Sequence, residues 1–128
     1  MDRVCHFENP FDDKSRATAF YQRVFGWQVS DAPGELPYTF VITTPADEQG
    51  NPTTPGGING GMYPRGDGGG SGSPVVVIAV HSCAARVGDV QEAGGKCIMG
   101  PAEIPGMGVY AQVEDPEGNI IGLWQPLG

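Results

Sequence analysis

Two side chains near the N-terminus have the chemical types needed for acid–base work. His6 and Glu8 lie two residues apart in the run RVCHFE at residues 3–8, which is typical of a β-strand. Side chains alternate across a strand, so this spacing predicts an imidazole and a carboxylate on one face. Such a pair can serve as base and acid at one reacting group. A hydrogen-bonded core histidine and a glutamate paired with a basic side chain fit the same pattern, so both interpretations stay open.

A second group of candidates lies in the stretch NIIGLWQ at residues 119–125. By alternation, Ile120, Gly122 and Trp124 share one face, and the glycine is expected to leave open space beside a large aromatic side chain. Simple core filling explains Trp124 equally well. Val4 alternates onto the same strand face as His6 and Glu8. Tyr63 and Tyr110 are further candidate lining residues that could equally belong to the core or the rim.

The elements that must position these side chains occur in the same order twice. In the first half, the strand at residues 3–8 precedes a helical segment that Gly26 ends. The apolar stripe predicted for this helix, at i, i+3, i+4 and i+7, consists of Ala17, Phe20, Tyr21 and Val24. Three strands are then predicted in WQVSD, YTFVITT and GGINGGMYP, which Pro, Gly and Asn residues separate.

The second half repeats this order. A buried strand, VVVIAV, precedes a helix capped by Ser82, and strands follow in KCIMG, GVYAQVE and NIIGLWQ. The sequence therefore predicts an α+β fold of two tandem βαβββ units. We expect a single domain over residues 1–128, built of units 1–64 and 74–128 and joined by a glycine-rich linker at 65–73.

Charge and composition narrow the range of partners. The 128 residues include 15 acidic and 7 basic side chains. The net charge of −8 argues against nucleic acid as a binding partner, because it repels the phosphate backbone. No apolar run approaches the length of a membrane span, and the N-terminus lacks the apolar stretch of a signal peptide. The three cysteines form no CxxC pair and are interpreted as reduced thiols, which predicts a cytoplasmic protein.

Three stretches of the chain resemble the vicinal-oxygen-chelate superfamily, which includes glyoxalase I, extradiol dioxygenases, and bleomycin- and fosfomycin-resistance proteins. They are HFENPFDDKSRATAFYQRVFGW at 6–27, VQEAGGKCIMGP at 90–101 and DPEGNIIGLWQ at 115–125. The resemblance implies that the curved mixed sheets of the two units enclose a shared cleft. It also implies a homodimer, since related two-unit proteins commonly pair.

Metal-dependent members of that superfamily take one ligand from each of the first, fourth, fifth and eighth strands. The resemblance places His6 at the first position, Asn59 or Met62 at the fourth, Val75 at the fifth and Gly122 at the eighth. Valine and glycine side chains cannot bind a metal. We therefore expect no metal or other cofactor, with His6 as a ligand only if a metal is present.

Two functions remain in competition. The first is a metal-free protein that binds a small, partly aromatic or cationic molecule in the cleft, as the bleomycin-resistance branch does. The second is a glyoxalase- or lyase-type enzyme that uses His6 and Glu8, with a divalent metal as an option. The predicted ligand-binding residues are Val4, His6, Glu8, Asn59, Met62, Tyr63, Tyr110, Ile120, Gly122 and Trp124.

Overall fold

The computed structural model describes residues 1–33, 38–66 and 72–127, and these form two compact units. The N-terminal unit holds residues 6–33, 38–66 and 72–74, and the C-terminal unit holds Met1–Cys5 together with residues 75–127. Most of the predicted linker, residues 67–71, lies outside the described residues. The predicted unit boundaries and the shared cleft stay predictions.

The N-terminal unit builds one mixed sheet from the first four strands. Its elements are β1 (Arg3–Phe11), α1 (Lys14–Phe25), β2 (Gln28–Asp31), β3 (Thr39–Ile42) and β4 (Asn59–Pro64). The first three residues of β1 count with the C-terminal unit. The strand order is β2-β3-β4-β1. β1 runs parallel to β4, and the other two pairs are antiparallel.

The C-terminal unit repeats this arrangement. Its elements are β5 (Val75–Ala79), α2 (Cys83–Glu92), β6 (Lys96–Ile104), β7 (Gly108–Glu114) and β8 (Ile120–Pro126). The strand order is β5-β8-β7-β6, with β5 parallel to β8 and the other pairs antiparallel. The prediction of an α+β fold with two βαβββ units is confirmed.

Side-chain caps start both helices. Asp13 accepts a hydrogen bond from the Arg16 backbone N–H at 3.0 Å, and Ser82 accepts one from the Ala85 N–H at 3.1 Å. Each cap satisfies a donor that the first helical turn leaves without a partner. α1 ends at Gly26, whose φ of 72° lies in the left-handed region that glycine adopts without strain.

The core of the C-terminal unit lies between α2 and its sheet. It consists of Val80, Cys83, Val87, Ala111, Val113 and Leu123. Odd-numbered residues of β7 and β8 thus face α2. Because side chains alternate along a strand, the even-numbered residues, among them Tyr110 and Gly122, lie on the opposite face of this sheet.

α1 departs from the predicted apolar stripe. None of its residues is buried, and Phe20 and Val24 are 52% and 55% exposed. Tyr21 makes the contact instead: its ring stacks on Trp27, with centroids 4.8 Å apart. The predicted apolar stripe was therefore wrong at Phe20 and Val24. Among the described residues α1 contacts Trp27 through Tyr21, and the flank that bears Phe20 and Val24 stays exposed.

No described helix has both the length and the apolar character needed to cross a bilayer.

Candidate functional site

The register of β1 against β4 decides which side chains can meet in the N-terminal unit. His6 pairs with Asn59 and Glu8 pairs with Gly61. The residue between them, Phe7, lies on the α1 side of the sheet. Its ring is 5.6 Å from that of Trp27, which stacks on Tyr21 of α1. His6 and Glu8 therefore share the sheet face that points away from α1, in agreement with the alternation of the strand.

His6 is held by a residue that the sequence analysis did not single out. Its Nε2 lies 2.7 Å from the phenol oxygen of Tyr38, and the two rings are stacked at 19°. Burial lowers the pKa of His6 to about 4, so the imidazole is neutral at neutral pH. Which partner donates depends on the tautomer. A neutral imidazole joined to a phenol can accept or pass on a proton.

Gly61 makes room for Tyr38. A Cβ added at Gly61 would collide with the phenol ring and oxygen of Tyr38. Gly61 is also the β4 partner of Glu8. The Tyr38 ring thus lies over the sheet beside Glu8, and any larger residue at position 61 would displace it.

Glu8 is a carboxylate on an aromatic face. The residue is 8% exposed. Burial of the Tyr63 phenol and the negative charge of Glu8 raise the pKa of Tyr63, and the positive charge of Arg65 partly opposes this rise. Phe40 pairs with Gly61 and so lies on the same face, with its ring 5.8 Å from that of Tyr38. We call this set the N-terminal face: His6, Glu8, Tyr38, Phe40 and Tyr63.

Of three further residues predicted for the site, Met62 lies on the other face of the sheet, whereas Asn59 pairs with His6 and shares its face. Met62 pairs with Asn9 and Thr39 and is 1% exposed, so it lies on the α1 side of the sheet and does not join His6. The fourth strand reads NGGMYP, in which apolar and polar residues do not alternate. Its register is therefore set by its hydrogen bonds to β1 and β3. The Oδ1 atom of Asn59 accepts from the backbone N–H groups at positions 43 and 44, at 2.8 and 3.0 Å. Val4 is exposed.

In the C-terminal unit, the open space expected at Gly122 is absent. A Cβ at Gly122 would lie 2.9 Å from Cγ2 of Val77 and 3.0 Å from the phenol oxygen of Tyr110. Those two side chains already fill the gap that the glycine leaves. The expectation of a void was therefore wrong: the missing side chain allows Tyr110 to lie across β8.

The face around Gly122 also holds a buried amide. Gln112 pairs with Gly122, is 4% exposed, and donates from Nε2 to the phenol oxygen of Tyr110 at 3.0 Å. Its Oε1 atom is buried and has no hydrogen-bond partner in the part of the chain that the structure describes. Trp124 pairs with Tyr110, and Ile120 pairs with Glu114 on the same side. We call this set the C-terminal face: Val77, Tyr110, Gln112, Ile120, Gly122 and Trp124.

The residue types do not fit the four-ligand metal site that the resemblance suggested. His6 Nε2 is engaged by Tyr38, and the oxygen of Asn59 is engaged by backbone amides. Val75 and Gly122 carry no ligand atom. Among the described residues, no three His, Cys, Asp or Glu side chains converge as metal ligands would. We therefore derive no chemical step through a metal.

Comparison with known proteins agrees with this architecture. A family model described as Bleomycin resistance protein-like N-terminal matches residues 3–44. A methylmalonyl-CoA epimerase solved with methylmalonyl-CoA and NH4+ is 14% identical, with a TM-score of 0.67 over 100% of this chain and 96% of its own. A comparison with curated protein sequences gave no match.

Two further structures are similar over nearly the full length. A Streptomyces coelicolor methylmalonyl-CoA epimerase variant, in complex with 2-nitronate-propionyl-CoA, is 15% identical, covers 98% of this chain and 95% of its own, and has a TM-score of 0.67. The hypothetical protein BH1468 from Bacillus halodurans C-125 is 14% identical, covers 99% and 96%, and has a TM-score of 0.66. This chain thus has the vicinal-oxygen-chelate fold, and its residues 3–44 are similar in sequence to bleomycin-resistance-like proteins.

Proposed function

We propose that this chain is a small-molecule-binding protein that takes an aromatic, cationic ligand without a metal. The observation that carries the proposal is the carboxylate of Glu8, 8% exposed on a face that also bears His6, Tyr38 and Tyr63. Aromatic faces attract cations and flat rings, and a poorly solvated carboxylate binds a cation strongly. Sites for small organic ligands are commonly lined by apolar and aromatic side chains with a few polar groups.

The neighbours in fold support this class of ligand in general terms. The epimerase structures contain acyl-CoA compounds, which are small organic ligands bound to the same fold. Fold alone does not transfer a ligand, so the chemistry of the N-terminal face carries the choice of an aromatic cation. The predicted lining residues of the C-terminal unit, Ile120, Gly122 and Trp124 among them, stay predictions.

The test compares two probes of one shape. Benzylammonium carries the charge, and benzyl alcohol replaces the ammonium group by a hydroxyl. Calorimetric titration in the presence of a metal chelator should show binding of the cation and much weaker binding of the alcohol. Equal affinities, or binding that needs an added divalent ion, would contradict the proposal.

A second candidate function is proton transfer at a carbon next to a carbonyl group, as in a glyoxalase- or lyase-type enzyme. The hydrogen bond between the neutral His6 imidazole and the Tyr38 phenol favours it, because such a pair can carry a proton to or from substrate. Glu8 would then be the second acid–base group. Exchange of a substrate C–H for solvent deuterium, lost in His6→Gln, would support it. No exchange across a panel of aldehydes and ketones would count against it.

We also propose a homodimer, with the flank of α1 as the contact surface. Phe20, Val24 and Phe25 are all more than half exposed there. α1 contains three basic and no acidic residues, while the whole chain has a net charge of −8. Within the described residues, Arg16 and Arg23 form no ion pair. A second copy of this acidic chain would supply both apolar cover and opposite charge.

A cytoplasmic location remains part of the proposal. The cysteines Cys5, Cys83 and Cys97 are free thiols, which suits a reducing compartment.

A further inference from the structure

We infer that Gln112 and Tyr110 form a second binding subsite, on the C-terminal face, that recognises an N–H donor of a neutral ligand such as a primary carboxamide. The amide of Gln112 is 4% exposed, and its Nε2 is committed to the phenol oxygen of Tyr110 at 3.0 Å. Among the described residues, its Oε1 is left as a buried acceptor with no hydrogen-bond partner. Nearly all buried polar atoms in folded proteins have a partner, so this atom calls for one.

The surroundings of the amide hold it in one orientation. Gly122 lies opposite Gln112 on β8, and the absence of a side chain there lets Tyr110 lean across the strand. The phenol oxygen of Tyr110 would lie 3.0 Å from a Cβ at position 122. A side chain at position 122 would press on the Tyr110 phenol, so the glycine favours the position from which Tyr110 contacts the amide nitrogen of Gln112. With the nitrogen fixed, the oxygen remains available to a ligand.

The neighbouring side chains set the chemical class of that ligand. Val77 packs at Gly122, and Trp124 pairs with Tyr110 on the same face. Within this set, Gln112 and Tyr110 supply the polar atoms, and the rest is aliphatic or aromatic. A neutral N–H donor on a flat apolar body matches this arrangement: the donor satisfies Oε1 and the body contacts Trp124.

The acceptor is shielded from solvent, so a ligand can reach it only if a neighbouring side chain moves. Trp124 is partly buried and lies beside the pair, which makes its indole the natural reporter of that movement. Binding at this subsite should therefore change tryptophan fluorescence, and the change should vanish in Trp124→Phe. The second tryptophan, Trp27, lies in the N-terminal unit and stays constant in this comparison.

The subsite does not depend on the aromatic-cation proposal, because it uses a different face and a neutral probe. Failure of benzylammonium to bind would leave it intact. Failure of a neutral carboxamide to bind would equally leave the carboxylate of Glu8 as a cation site.

Benzamide and methyl benzoate are the probes, since both have a phenyl ring and a carbonyl but only benzamide has N–H donors. We expect benzamide to change the Trp124 fluorescence with saturation and methyl benzoate to do so at least about 10-fold more weakly. Gln112→Met, which keeps the shape and removes the acceptor, should weaken benzamide to the level of methyl benzoate. Gln91→Met, the same change at an exposed position of α2, should leave benzamide affinity unchanged.

Three results would overturn the inference: equal responses to the two probes, a stronger response to methyl benzoate, or unchanged benzamide affinity in a folded Gln112→Met protein. A stronger response to methyl benzoate would mean that the amide presents its nitrogen to the ligand. The contrast between the probes is measured on the unsubstituted protein, so the test stands even if Gln112→Met fails to fold. Circular dichroism and the thermal midpoint establish whether it does.

Discussion

The phenol oxygen of Tyr38 lies 2.7 Å from Nε2 of His6, and the Tyr38 ring fills the space above Gly61. The positions of the imidazole, the phenol ring and the glycine in the N-terminal sheet therefore depend on one another. The contact with Tyr38 holds the imidazole in a fixed place, and burial keeps it neutral.

The first prediction concerns the protonation of His6. Its pKa is lowered from an ordinary value of 6.5 to about 4 by burial. Nuclear magnetic resonance titration of the imidazole C–H signals should show a midpoint near pH 4. A His81→Gln background leaves His6 as the one histidine and makes the assignment direct. A midpoint above pH 6 would contradict the buried position of the ring.

The second prediction is the effect of the same shift on stability. Below pH 6.5 the unfolded chain binds a proton at His6 that the folded chain resists until about pH 4. The free energy of unfolding should therefore fall as pH drops through this window, by roughly 1–3 kcal/mol from this group. Urea titrations of wild type and His6→Gln check it. The variant should lose that part of the slope, and parallel slopes would contradict it.

The third prediction concerns Gly61. Gly61→Ala introduces a methyl group where the Tyr38 ring lies, so the ring must move away from His6. We expect a loss of about 1–3 kcal/mol in the free energy of unfolding and weaker binding of an aromatic cation. Gly88→Ala is the matched control, because Gly88 lies within α2 and an added Cβ meets nothing within 4 Å. That control should be stabilised by about 0.5–1 kcal/mol.

The fourth prediction concerns Gly122. Gly122→Ala places a methyl group against Val77 and Tyr110, which should destabilise the protein by about 1–3 kcal/mol. Adding Val77→Ala should recover part of this loss, giving a favourable coupling energy in a double-mutant cycle. Additive losses would show that Val77 does not occupy the space at Gly122. Chemical denaturation of the four proteins supplies the measurement.

The repeated βαβββ pattern was predictable because its signals are local. The helix boundaries can be recognised from single residues: Asp13 and Ser82 cap the N-termini, and Gly26 ends α1. The register of β4 was not predictable, because NGGMYP offers no alternation. Both Asn59 and Met62 were therefore kept as candidates, and only Asn59 lies on the face of His6. Pairing with neighbouring strands decides such a segment.

The site was harder to predict than the fold. Tyr38 lies just before β3 and reaches His6 across 32 positions of sequence, a contact that no local pattern indicates. Gln112 sits in GVYAQVE, where alternating polar residues suggest a solvent-facing strand, yet the amide is 4% exposed. Its pairing with a glycine, Gly122, is the signal that could have revealed it, once the hairpin register was assumed.

The fifth prediction concerns assembly. If the exposed flank of α1 joins two copies, light scattering at micromolar concentration should report a dimer. Phe20→Asp replaces an apolar contact by a charge and should shift the equilibrium from dimer to monomer. The thermal midpoint of this variant should stay close to that of wild type. Val76→Asp, at an exposed apolar position of β5, is the control and should remain dimeric. A monomeric wild-type protein would contradict the proposal.

The central claim is that the Glu8 carboxylate, set among aromatic rings, binds an aromatic cation without a metal. The most direct measurement is calorimetric titration of benzylammonium into wild type and Glu8→Gln, both with a metal chelator present. We predict binding to wild type and a loss of about 10- to 100-fold in the variant, because one charge-assisted interaction is removed. Equal affinity in the two folded proteins, or no binding to wild type until a divalent metal is added, would contradict the claim.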